Sequence, residues 1–162
     1  MANVTFNKAI LMAGVERNIR SSLVEIGQNL VDEIKGIMQP GSGNVYIRLP
    51  GPRIHRASIA GEPPAPDYWR LKDSITYKTT FGDGNEMGSN DPGGSESTPS
   101  DAINSPRKTP NQYAVSVGTN VDYALELELG IGMAARPYLA RTLVGSTDMI
   151  IDAFSKISET VE

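Results

Sequence analysis

Cysteine is absent from all 162 residues, which removes disulfide scaffolds, thiolate metal sites and cysteine nucleophiles at once. A reducing compartment is allowed by this, not required. Long apolar runs are missing too, and no stretch reaches the roughly 20 apolar residues that a helical membrane span needs. The first residues, Met-Ala-Asn-Val-Thr-Phe-Asn-Lys, lack a basic leader, an apolar run and a small-residue cleavage site, so no export signal is expected. Nor is there an excess of positive charge. Fifteen Lys and Arg stand against 19 Asp and Glu, a net −4 with an isoelectric point near 5.1, which argues against broad electrostatic attachment to nucleic acid. The length suits a single domain with a real core, spanning residues 1–162.

Histidine occurs once, as His55 in Arg53-Ile54-His55-Arg56, where flanking cations compete for any carboxylate partner. Ser58 and Asp67 lie near it in sequence, but no Gly-x-Ser-x-Gly elbow accompanies them. A hydrogen-bonded or interface histidine is therefore expected rather than a catalytic one. Glu126 and Glu128 lack a third metal ligand and point to different sides of a helix. Asp83, Asn85, Glu86, Asn90 and Asp91 do not have the spacing of a calcium loop, and Gly82-Asp83-Gly84 has neither the lysine nor the following helix of a phosphate cradle. No cofactor, metal or enzymatic activity is expected.

What is present is a strong helical period. Leu11, Val15, Ile19, Leu23, Ile26, Leu30, Ile34 and Met38 recur at steps of three and four, with charged residues between them. This predicts an amphipathic helix over 7–38, stopped by Pro40-Gly41 and about 45 Å long at 1.5 Å per residue. Such a helix exceeds what one small sheet needs, so part of it is expected to face a neighbouring subunit. Val45, Ile47 and Leu49 alternate with Tyr46 and Arg48, the pattern of a half-buried strand over 43–50.

Pro63, Pro64 and Pro66 then forbid ordinary helix and impose an extended loop. A helical turn is expected at 68–74, a strand at 75–81 and another at 113–118. Residues 82–112 are nearly devoid of apolar side chains and read as a flexible polar insertion, a long hairpin excursion. A short helix over 122–129 precedes a final helix that opens at Arg136-Pro137 and is weakened at Gly145. Strands that follow one another without helical crossovers predict an α+β fold. In it, an antiparallel sheet of three to four strands is packed by the long N-terminal helix and a C-terminal helix.

Arg48, Arg53, Arg56, Arg70 and Lys72 form the densest basic group. They read either as a solvated face or as a partner surface, the latter favoured over DNA because a conduit for DNA works best with walls that do not stick to phosphate. Tyr68-Trp69 beside Pro64 and Pro66 read as core packing or as interface anchors.

Several short motifs then occur in a fixed order. Ala57-Ser58 is followed by Gly61-Glu62-Pro63-Pro64-Ala65, then by Leu71, Ser74 and Ile75. Val117-Gly118-Thr119 precedes Tyr123-Ala124 and Glu126, and Ala135-Arg136-Pro137-Tyr138-Leu139 opens the last helix. In order and spacing this set resembles the HK97 gp10-like family of tailed-bacteriophage neck and tail-completion, or head-tail joining, proteins. The chain departs from that pattern at Ala60, where proline is common, at Trp69, where glycine is common, and in the insertion at 82–112.

The resemblance implies a non-enzymatic virion protein, assembled in the host cytoplasm, that forms a homo-oligomeric ring at the neck. A hexamer is expected, with a dodecamer as the alternative copy number. Its partners would be other neck and tail proteins, such as head-closure and tail-terminator rings, and DNA passing through the lumen without specific binding. The residues expected at inter-subunit or partner contacts are Arg53, His55, Arg56, Glu62, Tyr68, Trp69, Arg70 and Arg136, the last also a possible buried ion-pair partner of Glu126. A tail-assembly factor absent from the mature particle and a small hydrolase using His55 are the alternatives.

Overall fold

Helix α1, Lys8–Ile37, follows directly from the helical period, and the computed structural model places its apolar stripe against everything else that folds. The structure describes residues 8–48, 53–66, 70–82, 84 and 112–159. Leu23, Ile26, Leu30, Val31 and Ile34 are buried on one face of α1, as is Met38 just beyond it, whereas Val15 and Ile19 nearer the N-terminus are only half-buried. The C-terminal half of the helix is thus the spine of the molecule, and its first turns overhang the core. Lys72 Nζ donates to the Met38 carbonyl at 3.2 Å, a cation placed where the carbonyl end of the helix dipole favours one.

Strands β1 (Val45–Arg48) and β2 (Arg53–Arg56) pair antiparallel, with Ile47 opposite Ile54 and Tyr46 opposite His55. After the proline loop, the short helix α2 (Arg70–Ser74) buries Leu71 and Ser74. Strands β3 (Thr76–Thr79) and β4 (Val115–Gly118) then pair antiparallel, Tyr77 opposite Val117. Helix α1 crosses this second pair at Gly27, where a Cβ would collide with the Tyr77 ring. Only glycine lets the helix backbone rest on that ring. Around the crossing, Val31, Ile34, Met38, Leu71, Ile75, Tyr77, Val121, Ala124 and Tyr138 form the main core.

Helix α3 (Ala124–Leu129) ends at Gly130, whose φ of 72° is the left-handed conformation that a helix C-cap commonly takes, its N–H donating to the Glu126 carbonyl at 2.8 Å. Helices α4 (Leu139–Gly145) and α5 (Thr147–Glu159) follow, separated at the buried Ser146. The weak point expected at Gly145 is therefore a break between two helices. Glu33 on α1 accepts from the Ser146 hydroxyl and fixes that break. From there α5 runs antiparallel to α1, with Asn29 Nδ2 reaching Met149 Sδ and Ala153 packing with Ile26 and Leu30.

The fold is mixed α+β, with five helices among the described residues. One sheet of three to four strands was expected; the described strands instead make two antiparallel sheets of two strands each. The first strand finds its partner in Arg-Ile-His-Arg, where no strand was expected, and pairs there instead of with β3–β4. Most of the insertion at 82–112 lies outside the described residues. At its root Phe81 and Tyr113 stack with ring centroids 5.4 Å apart, and Gly84 bridges back to Lys78. Among the described residues no helix is long and apolar enough to cross a membrane.

Candidate functional site: the β1–β2 hairpin and its root

Alternation along two paired strands gives the hairpin two distinct faces, since cross-strand partners share a side. Val45, Ile47, Ile54 and Arg56 lie on one, and Tyr46 and His55 on the other. The first face is apolar yet uncovered: Ile47 is 71% and Ile54 75% exposed, with Val45 and Arg56 exposed beside them. A half-buried strand was expected here, and the structure corrects this: Val45, Tyr46 and Ile47 are all exposed, because none of the described residues lies over the hairpin's apolar side. Tyr46, Ile47, His55 and Ala57 line an open cleft of about 410 Å³.

The root of the hairpin is tightly built. Gly41 N–H donates to the Arg56 carbonyl at 3.2 Å, Gly43 N–H to the Ala57 carbonyl at 2.8 Å and Ala57 N–H to the Asn44 carbonyl at 3.0 Å. Glu62 then ties the incoming and outgoing chains together, accepting from the Ser42 N–H at 3.1 Å, from the Ser42 hydroxyl and from the Ile59 N–H at 3.0 Å. The Ser42 hydroxyl first, then the Ile59 and Ser42 amides, hold the Glu62 carboxyl below its ordinary value. From the other side Arg136 Nη2 donates to the Ser58 carbonyl at 3.2 Å, and Gly61 N–H to the Ala135 carbonyl at 3.0 Å.

The structure therefore brings together His55, Arg56, Glu62 and Arg136, the first two on the hairpin and the last two at its root. Arg53 belongs to β2, but its side chain lies outside the described residues, as does that of Arg48, its partner in register. Tyr68 and Trp69 also lie outside the described residues. Arg70 is exposed at the start of α2, away from this constellation in the chain's bonding. The ion pair considered between Arg136 and Glu126 does not form. Arg136 turns to Ser58 and to Met133 Sδ, while Glu126 is exposed on α3. Lys72, counted in the basic group, serves α1 instead.

Sequence reasoning missed Glu128. Its carboxylate accepts from three consecutive amides at the start of α4, Tyr138 at 2.8 Å, Leu139 at 3.0 Å and Ala140 at 2.9 Å. It also missed the apolar face of the hairpin, whose signal was available: Val45 and Ile47 before a Pro-Gly-Pro, then Ile54 after it. Chemically, no group of three or more His, Asp or Glu among the described residues could hold a metal. What the hairpin offers is exposed apolar area beside Arg56, the composition of a contact surface.

Comparison with family models, curated proteins and solved structures finds no match to this chain.

Proposed function

We propose that this chain is a structural subunit of a tailed-bacteriophage particle. It closes into a ring at the neck, a hexamer with a dodecamer as the alternative, where it joins or completes the tail and lets DNA pass without specific binding. The observation that carries this reading is the β1–β2 hairpin. A two-stranded ribbon is marginal in water by itself, and one that holds Ile47 and Ile54 in solvent gains its stability by meeting another chain. Head-closure and tail-terminator rings are the neighbours proposed above and below.

The motif residues behind the family resemblance support the same reading, because those far apart in sequence meet in space. Ser58 is held by Arg136, Gly61 by Ala135, and the Ser74 hydroxyl bonds that of Thr119, while Leu71 and Ile75 are buried. They act as a scaffold that fixes the hairpin root. The test is light scattering and negative-stain imaging of the purified protein over a concentration series, with mass spectrometry of purified particles. Closed rings, together with the protein in the particle, are expected. Rings without the protein in mature particles would make it an assembly factor, and absence of both would overturn the proposal.

A further inference from the structure

Two backbone ties hold the connection between α3 and α4 in one shape. Ile131 N–H donates to the Glu126 carbonyl at 3.1 Å and Arg136 N–H to the Leu127 carbonyl at 2.7 Å, so both ends of residues 131–136 are fastened to α3. Gly132, with a φ of 74°, turns the chain between them. Within this turn Arg136 Nη1 donates to Met133 Sδ at 3.3 Å, while Nη2 of the same guanidinium donates to the Ser58 carbonyl at the hairpin root. Met133 is nevertheless 43% exposed. The thioether is open to solvent and met by a cation at once.

We propose that Met133 is an oxidation site steered by Arg136: a peroxide converts its thioether to a single sulfoxide epimer, and that product releases the guanidinium from the sulfur. A methionine sulfur carries two lone pairs, and attack through one or the other gives opposite epimers. Arg136 occupies one of them. The other pair attacks the near oxygen of the peroxide, the O–O bond breaks, and the far oxygen leaves as hydroxide. That hydroxide takes the proton shed by the near oxygen, so the products are S=O and water. Sulfur is oxidised by two electrons and the peroxide is reduced by two. The oxidised sulfur is electron-poor, and its remaining lone pair, on the side of the guanidinium, no longer accepts from a cation. Arg136 then holds Ser58 without its second support, and the root loosens at the neighbouring bond between Gly61 and Ala135.

The other described methionines lack this combination. Met38 is 1% exposed, and Met149 is half-buried with the Asn29 amide 3.9 Å from its sulfur. Met12, on the overhanging turns of α1, is 53% exposed, and no described residue donates to its sulfur. It serves as the internal control. The inference concerns the single subunit and stands apart from the ring reading.

The test uses the full-length protein and hydrogen peroxide, stopped at partial conversion. After digestion, mass spectrometry counts the sulfoxide at each methionine that survives each of the two methionine sulfoxide reductases, one enzyme per epimer. One epimer at Met133 is expected to exceed the other by about fivefold or more, the factor that an ordinary hydrogen bond confers, with the Met12 epimers equal within about twofold. In urea-unfolded protein and in R136A the excess at Met133 should disappear. Circular dichroism shows whether R136A folds, and the urea experiment stands without it. Equal epimers at Met133 in the folded protein, or an excess that survives unfolding, would overturn the steering. Hydrogen exchange of the Gly61 amide should rise about twofold or more on oxidation of the native sequence and stay unchanged in M133L. A Gly61 amide that does not respond would overturn the release at the hairpin root.

Discussion

Glu128 shows how one side chain can set the course of the chain after it. Helix α4 has Tyr138 at its N-cap, which offers no capping side chain, and its first amides would be left without acceptors. Glu128 supplies the acceptor from ten residues upstream, so α3 and α4 are locked at a fixed angle as well as capped. Replacing it with Gln keeps the shape but loses the charge that favours a helix N-terminus. E128Q is expected to lower the unfolding free energy by about 1–2 kcal/mol, read from the midpoint of urea denaturation at unchanged slope. Tyr138 predicts the opposite sign. Its side chain is fully buried, its hydroxyl finds no hydrogen-bond partner among the described residues, and burial first, then the nearby Glu128 and Tyr123 charges, pushes its phenol pKa up. Removing an unpaired buried hydroxyl without changing ring shape should leave stability equal or raise it by about 1 kcal/mol in Tyr138→Phe. A loss of more than that in the same denaturation experiment would mean that the hydroxyl is satisfied in solution.

Elements were legible in the sequence where one period ran long enough, and not where it was short. Helix α1 was expected over 7–38 and spans Lys8–Ile37, because eight apolar positions in register leave little freedom. Strand β2 was missed because four residues, Arg-Ile-His-Arg, contain a single apolar position, and their strand character comes only from pairing with β1. Glu62 was expected at an inter-subunit or partner contact. What it does within the chain, clasping Ser42 to Ile59, depends on two segments meeting and leaves no mark on either alone. That clasp carries a pH dependence. The folded-state pKa of Glu62 is lowered from the ordinary 4.5, so its contribution is fully present above the unfolded value and is lost as pH falls through the lowered one. Hydrogen-exchange protection of the Ser42 and Ile59 amides, corrected for intrinsic rates, should hold from neutral pH down to the carboxylate range and fall below it. In Glu62→Gln the step should vanish and protection at neutral pH should already be lower; a step of equal size in that variant would assign it to another carboxylate.

At the scale of the whole molecule the chain divides its labour unevenly. Helix α1 collects β3, β4, α4 and α5 into one packed body, with Leu23, Ile26, Val31 and Ile34 nearly inaccessible to solvent. The β1–β2 hairpin contributes little to that body and holds its large apolar residues outside it. Natural chains rarely keep such a patch on an isolated subunit, since the exposed edges of a two-stranded ribbon invite unplanned pairing. The two tasks should therefore separate experimentally. The Ala57 N–H already bonds to the Asn44 carbonyl at 3.0 Å, so the chain ends flanking residues 45–56 are close enough to be joined by a two-residue Asn-Gly turn. A protein shortened in this way should keep its cooperative melt, with a midpoint within about 4 °C of the full chain, a shift worth about 1–2 kcal/mol for a domain of this size. It should fail to form rings at any concentration. A melt displaced much further would place the hairpin in the folding unit and make its exposed face a consequence of the fold. An undisturbed melt with assembly lost would make that face the reason the hairpin is there.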